Sequence, residues 1–243
     1  MWRSNIFKET EKYIVSVGDN PMPDGHKKFA HLQPFITCPP NRPLRRVGPP
    51  GDGGKWICDP AALESPCTIL SLGSNNDFSF EAAVLKDTSC KLVTLDCTVS
   101  GATLSARHTF LPVCIGSEEA AAVDNRTVTY SQLISMLDTE NVPLLKIDVE
   151  TYEYPTFASW NEYTRFLPEQ IAVEVHWHHG ITNSAGLQPQ WGRSLFGVMD
   201  LSLFFMHLAN LGYGIVNKED NPACPSCSEF TLFRVEANAR VAI

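Results

Sequence analysis

Long apolar runs are missing from this sequence of 243 residues. No stretch reaches the roughly 18 consecutive apolar residues that suggest a membrane-spanning helix. The first 20 residues are also too polar for a signal peptide. We therefore expect a chain that is soluble as given and has no membrane span. Its compartment is left open between the secretory pathway, if an N-terminal anchor is missing, and the cytoplasm.

Dense basic runs are missing as well. The net charge is -8 and the isoelectric point is near 5.3, whereas nucleic-acid-binding proteins usually carry a basic face. We therefore expect no nucleic-acid partner. The basic residues that do cluster are Arg42, Arg45, Arg46 and Lys55. Because they lie beside a loop rich in glycine and proline, a solvated surface is the simpler explanation, with contact to an anionic substrate as the alternative.

The eight cysteines do not form a recognisable metal site. Cys224 and Cys227 are a single CxxC pair, and the sequence offers no second pair of zinc ligands at a matching spacing. A disulfide or two free thiols both explain this pair better. Cys97 and Cys114 lie in apolar, strand-like runs, which favours free buried thiols. The run Asn125-Arg126-Thr127 fits a glycosylation acceptor and, with the even cysteine count, hints at a secretory compartment.

The order of the predicted elements indicates an α/β fold. Strands are predicted at 68–72, 91–95, 108–115, 143–147 and 171–175, with helices at 79–86, 130–137 (Ser131 in its cap region) and 194–211, and closing strands at 214–217 and 229–234. Alternating strands and helices predict a mainly parallel, Rossmann-like sheet with helices on both faces. The two closing strands are too close together for a crossover helix, so they predict an antiparallel hairpin. Residues 1–66, rich in proline and glycine, are predicted to form an irregular N-terminal extension packed on this domain of residues 67–243.

A glycine turn and an acidic residue follow the first two predicted strands. Gly73, Ser74 and Asn75 come directly after the first strand, where glycine lets the backbone approach a ligand closely. Asp96 ends the second strand 23 positions after Gly73, near the roughly 20-residue interval of an acid that binds ribose hydroxyls. A turn glycine and a helix cap explain each residue alone, but their joint spacing favours a nucleoside site that includes the adjoining Cys97.

The absence of a pyrophosphate-binding motif indicates which type of nucleoside the site binds. The GxGxxG motif that binds a pyrophosphate in nicotinamide enzymes is absent, and the carboxylate of Asp77 stands in its way. A nucleoside without a pyrophosphate fits better, and S-adenosylmethionine (SAM) is such a ligand. The loop 48–56, just ahead of the first strand, is predicted to fold over the cofactor with Asp52 at its polar end. A plain cluster of turns explains that loop nearly as well.

Acidic and histidine side chains end the fourth and fifth predicted strands. Alternation along a strand places Asp148 and Glu150 on one side, and likewise Glu174 and His176. A carboxylate near a histidine tunes its pKa, which makes His176 a candidate general base for an oxygen acceptor. The same four residues offer ligands for a divalent metal as an alternative. A purely structural interpretation of these residues is a salt bridge together with a helix cap.

Four runs of the sequence carry a resemblance to a known family. They are 46–60 (RVGPPGDGGKWICDP), 71–81 (SLGSNNDFSFE), 145–150 (LKIDVE) and 227–233 (CSEFTLF). In these runs the chain resembles the eukaryotic methyltransferase-domain family, a relative of the FkbM-type O-methyltransferases, over about residues 40–235. The resemblance implies a class I fold, SAM as methyl donor and an oxygen acceptor on a small molecule or a glycan. It also implies that Gly73 to Asn75 and Asp96 line the cofactor site and that Asp148 and Glu150 lie at the active site.

One position departs from the family pattern. FkbM-like sequences usually have glycine after the Asp-Val-Glu run, whereas this chain has Thr151, which is expected to narrow the pocket. Two further hypotheses stand beside a SAM-dependent O-methyltransferase. One is a non-catalytic module of the same fold that binds SAM or a partner, and the other is a metal-dependent hydrolase that uses the acidic and histidine cluster.

Overall fold

The computed structural model describes residues 25–63, 65–177 and 198–235, together with Lys8 and Lys12. A seven-stranded sheet lies at its centre. Its strands are β3 (Thr68–Leu72), β4 (Lys91–Leu95), β5 (His108–Leu111), β8 (Leu144–Ile147), β9 (Gln170–His176), β10 (Tyr213–Asp220) and β11 (Cys227–Arg234). The strand order is β10-β11-β9-β8-β3-β4-β5. The five strands from β9 to β5 run parallel, while β11 pairs antiparallel with both β9 and β10. The predicted parallel sheet with a closing antiparallel hairpin is confirmed.

Different elements cover the two faces of the sheet. The helices are α1 (Ser79–Asp87), α2 (Glu118–Val123), α3 (Tyr130–Leu137), α4 (Glu153–Ala158) and α5 (Val198–Asn210). Successive residues of a strand point to opposite faces, so Leu70 and Leu72 join the large core built with α3, α4 and α5, whereas Ile69 joins a smaller core with α1. The predicted helices on both faces are therefore present, and no described helix has the length and apolar character needed to cross a bilayer.

Several element boundaries differ from the sequence-based expectation; β10, for example, extends to Asp220 rather than to residue 217. The third predicted strand is split into β5 and β6 (Cys114–Ile115), because Pro112 cannot donate a ladder hydrogen bond; β6 then pairs with β7 (Thr127–Val128). Helix α3 is capped by Thr129 rather than near Ser131, in a capping box with Gln132. Of the helix predicted at 194–211, residues 198–210 form α5, and residues 194–197 lie outside the described residues.

The N-terminal segment is more regular than expected. It contains an antiparallel hairpin of β1 (Leu44–Val47) and β2 (Lys55–Cys58), whose residues Val47 and Ile57 are buried in the smaller core. The sequence pattern did not indicate these strands, because β1 has two arginines at its centre and shows neither an apolar run nor a buried alternation. The division at residue 66 stays a prediction, but the hairpin brings Lys55 into the interior of the protein.

Disulfides pair all eight cysteines. The pairs are Cys38–Cys58, Cys67–Cys90, Cys97–Cys114 and Cys224–Cys227. The prediction of free thiols at Cys97 and Cys114 is therefore wrong. Their Cα atoms are 4.9 Å apart, a normal disulfide span. The second residue after β4 and the first residue of β6 lie side by side, which an apolar pattern does not reveal.

The strand order reverses between β3 and β8. From β3 the chain continues to β4 and β5 on one side, and it then crosses over to β8 and β9 on the other side. In open α/β sheets, ligands bind outside the carboxyl ends of the strands at such a point. Gly73 follows β3 and Asp148 follows β8, so two predicted site residues lie at the reversal.

Candidate functional site

Gly73 lies where β3 and β8 come closest. Its φ is +81°, and a Cβ there would be 1.8 Å from the carbonyl oxygen of Asp148. The backbone N–H of Asp148 donates to the carbonyl of Leu72 (2.9 Å), which keeps the two strand ends together. Only glycine fits this position without displacement. The predicted cofactor turn and the predicted catalytic strand therefore touch each other.

Asp96 connects the end of β4 to the glycine turn. One carboxylate oxygen accepts hydrogen bonds from the N–H groups of Ser74 (2.9 Å) and Asn75 (2.8 Å), and the other accepts from the N–H (2.9 Å) and hydroxyl (2.6 Å) of Thr98. Burial opposes ionisation, but these hydrogen bonds lower the pKa of Asp96 below its ordinary value. The glycine turn and the carboxylate of Asp96 thus converge at the same edge of the sheet. The adjoining Cys97 offers no thiol, because it is disulfide-bonded.

A second carboxylate occupies the start of α1. Asp77 accepts hydrogen bonds from the N–H (2.9 Å) and the hydroxyl (2.6 Å) of Ser79, and these bonds lower the pKa of Asp77. An ionised side chain therefore lies at the helix N-terminus, where a pyrophosphate binds in dinucleotide-binding proteins. This arrangement fits a nucleoside without a pyrophosphate, as the sequence predicts.

The loop between β1 and β2 lies between the glycine turn and the acidic cluster. The carbonyl of Gly53 accepts a hydrogen bond from the hydroxyl of Ser79 (3.0 Å) in the first turn of α1. Asp52 is exposed, and its carboxylate accepts from the side-chain amide of Asn221 (3.0 Å), which also donates to Glu174 (2.8 Å). The loop thus reaches from the start of α1 to the acidic cluster, and the contacts of Asp52 are on the acidic side.

The basic residues predicted to form a solvated surface are all ion-paired instead. Their carboxylate partners are Glu169 for Arg42, Asp59 and Asp87 for Arg45, Glu219 for Arg46, and Glu229 and Asp148 for Lys55. Arg46 also donates to three carbonyls of the loop between β1 and β2, those of Pro49, Gly51 and Gly54. The fold explains the difference, because it brings each of these side chains next to a carboxylate that is at least 14 positions away in the chain.

His176 is the centre of the acidic cluster. Its Nδ1 lies 3.2 Å from Oε1 of Glu153, and its backbone N–H donates to the same oxygen (2.8 Å). Its Nε2 lies 3.7 Å from an oxygen of Asp148 and 3.6 Å from oxygens of Glu150 and Glu174. All four residues of the predicted catalytic set therefore meet around one imidazole ring.

A turn with unusual backbone angles places Glu150 at this ring. Glu150 and Thr151 have φ values of +51° and +83°, a region that costs an L-residue about 1–2 kcal/mol. The Glu150 side chain is 77% exposed. Thr151 is fully buried rather than exposed in a pocket, and its hydroxyl has no hydrogen-bond partner among the described residues. Helix α4 begins just after this turn, and the Tyr154 hydroxyl donates to the carbonyl of His176 (2.7 Å).

Two buried lysines balance part of the negative charge. Lys55 contacts Glu229 directly and has its Nζ 3.6 Å from Asp148. Lys146 has its Nζ 3.9 Å from Asp148 and donates to the carbonyl of Gly73. Burial alone would lower the pKa of Lys55, but the two carboxylates raise it. Burial likewise opposes ionisation of Asp148, but Lys146 and Lys55 lower its pKa, so this carboxylate is held as an anion.

The charge states of His176 and Glu174 bear on the choice of a base. Burial alone would lower the pKa of His176, but the surrounding carboxylates, Glu153 foremost, raise it to about 10. The ring is therefore an imidazolium at neutral pH and has no free lone pair to accept a proton. Burial, followed by the negative charge of Asp148, raises the pKa of Glu174 to about 7. The role of His176 as general base stays a prediction; its raised pKa does not favour that role, whereas the pKa of Glu174 lies near neutral pH.

Metal donors also meet in this cluster. Donor atoms of Glu174, His176 and Cys227 lie within 4.8 Å of one another. Cys227, however, is bonded to Cys224, and metal ligation needs a deprotonated imidazole nitrogen and a thiolate. The ammonium groups beside Asp148 provide positive charge from the chain itself. The donor set therefore suits a network of ion pairs better than a metal ion.

Five residues of the site were not predicted from the sequence to have a functional role. They are Lys55, Lys146, Glu153, Asn221 and Glu229. A usable signal existed for Lys146 and Glu229, since a charged residue inside an apolar strand is almost always paired. No such signal exists for Glu153 and Asn221, which reach the cluster from α4 and from the turn between β10 and β11.

A family model described as a methyltransferase domain matches residues 23–234 of this chain. The chain belongs to this methyltransferase-domain family. The matched range includes the glycine turn, Asp96, the acidic cluster and the hairpin that carries Lys55. The predicted methyltransferase family is confirmed, while the likeness to FkbM-type and eukaryotic members stays a prediction. No curated protein matches the chain.

The methyltransferase domain is also similar to solved structures at low identity. A protein described as a hemolysin from Streptococcus thermophilus is 8% identical, with a TM-score of 0.41, over 72% of this chain and 62% of that one. A protein described as a SAM-dependent methyltransferase from Streptococcus mutans is 8% identical, with a TM-score of 0.37, over 72% and 46%. An O-methyltransferase from Bacillus cereus in complex with SAH is 14% identical, with a TM-score of 0.37, over 69% and 74%. This chain spans less than two thirds of the length of the first two proteins, and these similarities are too low to support an argument about activity.

Proposed function

We propose that this methyltransferase domain uses SAM to methylate a hydroxyl oxygen of a small molecule or a glycan. The observation that carries the proposal is the contact between Gly73 and Asp148. It puts the nucleoside turn beside a carboxylate that is held as an anion and beside a cluster that exchanges a proton near neutral pH. Donor and acceptor can therefore meet at one edge of the sheet, where the strand order reverses.

The residues of the glycine turn fit the donor. Backbone groups of Gly73, Ser74 and Asn75 line the turn, and the Asp96 carboxylate, which accepts from the N–H groups of Ser74 and Asn75, is in a position to accept ribose hydroxyls. The disulfide-bonded Cys97 is also assigned to this side, and Asp52, whose contacts lie towards the acidic cluster, is assigned to the polar end of the donor where the two sides meet. When bound, SAM supplies an electrophilic methyl group on a sulfonium. The chain has to orient the acceptor oxygen and take its proton.

We assign the proton-accepting role to Glu174. Its pKa of about 7 matches the operating range of a general base, and the amide of Asn221 holds the carboxylate in place (2.8 Å). His176, fixed by Glu153, serves as a hydrogen-bond donor and a positive charge next to the acceptor. Asp148 and Glu150 accept hydrogen bonds from neighbouring polar groups of the acceptor molecule and so orient its reacting hydroxyl towards Glu174.

An isotope-transfer assay tests the function. The protein is incubated with SAM labelled on its methyl group and a panel of small-molecule and glycan acceptors, and labelled products are analysed for an ether bond. We expect Glu174→Gln to lower turnover by about 10²–10⁴-fold, the usual worth of a general base. The exposed Glu162→Gln is the matched control and should leave turnover unchanged. Wild-type turnover should rise with pH through about 7, and Glu174→Gln should lose this rise.

Three outcomes would contradict the proposal. Label on nitrogen or carbon would refute the oxygen acceptor, and full activity of Glu174→Gln would refute the assigned base. Loss of turnover on treatment with a chelator, with recovery after a divalent metal is added, would favour the metal-dependent alternative. We expect the chelator to have no effect, because Lys55 and Lys146 already supply positive charge at Asp148.

A further inference from the structure

The pairing of the cysteines indicates the environment in which the chain matures. Every cysteine is in a disulfide, and no free cysteine remains. Three of the pairs, Cys38–Cys58, Cys67–Cys90 and Cys97–Cys114, join residues at least 17 positions apart in the chain. Disulfides of this kind form and persist in oxidising compartments and are rare in the cytosol, where thiols are kept reduced.

The acceptor sequence Asn125-Arg126-Thr127 lies on a tight turn. The N–H of Thr127 donates to the carbonyl of Asp124 (2.9 Å), which closes a four-residue β-turn with Asn125 and Arg126 at its corner. The Asp124 carboxylate also accepts from the N–H of Arg126 (2.9 Å) and stabilises the same turn. Asn125 is exposed at this corner. Its side chain is therefore presented to solvent by a rigid support.

The surface around this turn suits a bound sugar. A groove of about 600 Å³ is lined by Asn125 together with Val128 and Met136. The Met136 side chain is 58% exposed, and Val123, two residues before Asn125, is 87% exposed. Apolar surface that is removed from water stabilises the folded chain in proportion to its area. The apolar face of a pyranose ring attached at Asn125 would cover these side chains.

From these observations we propose that the chain matures in an oxidising secretory compartment and carries an N-linked glycan on Asn125. The glycan comes from a lipid-linked oligosaccharide diphosphate. The amide nitrogen of Asn125 forms a bond to the anomeric carbon, the bond from that carbon to the diphosphate oxygen breaks, and the diphosphate leaves with the electron pair while the amide loses one proton. For each disulfide, two thiols give two electrons and two protons to a protein disulfide of the same compartment. The proposal does not depend on the methyltransferase function.

The test uses the full chain behind a cleavable signal peptide in cultured eukaryotic cells. Translocated protein, whether secreted or retained, is analysed by intact mass before and after treatment with peptide N-glycosidase. Free thiols are alkylated under denaturing conditions and counted. We expect a mass loss on treatment, conversion of Asn125 to aspartate and no alkylated cysteine.

Variants separate the glycan from effects on folding. Asn125→Gln and Thr127→Val should both abolish the mass loss, whereas Thr127→Ser, which keeps the acceptor sequence, should retain it. Asn161→Gln is the control, since Asn161 is exposed but lies outside such a sequence, and it should stay glycosylated. Translocated wild-type protein without a glycan, a glycan that persists in Asn125→Gln, or alkylated cysteines in wild-type protein would each overturn the proposal.

Discussion

Replacing Gly73 with alanine tests the close approach of β3 and β8 on which the site depends. The variant meets two costs. A φ of +81° costs an L-residue about 1–2 kcal/mol. The new Cβ would also lie 1.8 Å from the Asp148 carbonyl oxygen, and forcing a methyl group into a packed region costs about 1–3 kcal/mol. We therefore expect Gly73→Ala to lower the free energy of unfolding by about 2–5 kcal/mol.

Gly51 offers a matched control for the backbone cost. Its φ is +83°, close to that of Gly73, but a Cβ there meets no heavy atom within 4 Å. Gly51→Ala should therefore lose only about 1–2 kcal/mol. Urea unfolding of both variants, with the disulfides intact, gives the two free energies from midpoints at an unchanged slope. Equal losses in the two variants would refute the reasoning, because the contact with Asp148 would then cost nothing.

Three further predictions concern the acidic cluster. Glu153→Gln should lower the pKa of His176 from about 10 towards the ordinary 6.5, which NMR titration of the ring measures; an unchanged pKa would contradict the assigned cause. Because the folded-state pKa of His176 is raised, its contribution to stability is complete below about pH 6.5 and is lost as the pH rises through about 10. The urea midpoint of the wild-type protein should therefore fall between these two pH values. The midpoint of Glu153→Gln should fall by a smaller amount. Lys55→Met removes a buried ammonium group and leaves Glu229 without its lysine, which should cost about 3–5 kcal/mol, whereas exposed Lys86→Met should stay within about 0.5 kcal/mol. Similar losses for the two variants in urea unfolding would contradict the ion pair between Lys55 and Glu229.

The parts of the fold that the sequence predicts are those with a repeating physical signal. The strands that end at Leu72 and Leu95 are short apolar runs closed by glycine or aspartate, and the structure has them at the predicted bounds. Because the carboxyl ends of parallel strands share one edge, the order of elements also brings Asp148 and His176 together. The apolar pattern of the strands and the order of the elements both place these residues at the same edge of the sheet. The location of the candidate site could therefore be predicted from the sequence.

What the sequence does not predict depends on contacts between distant residues. Cys97 and Cys114 lie in apolar runs like those of free thiols, and only their spatial neighbourhood shows that they pair. From the sequence, the side chain of Lys55 is expected to be solvated because it lies beside a loop, but the β1–β2 hairpin buries it. The protonation of His176 depends on Glu153, which contacts the ring from α4. The turn that precedes α4 has no periodic pattern in the sequence and could not be predicted.

Direct binding of SAM is the measurement that tests the central claim, that the Gly73 turn and Asp96 form the donor site beside the acidic cluster. Isothermal titration should show saturable binding of SAM and none of NAD. Asp96→Ala should weaken SAM binding at least about tenfold, or 1.4 kcal/mol, while Glu162→Gln should bind as wild type. Binding of NAD in place of SAM, or equal SAM affinity in Asp96→Ala, would contradict the account.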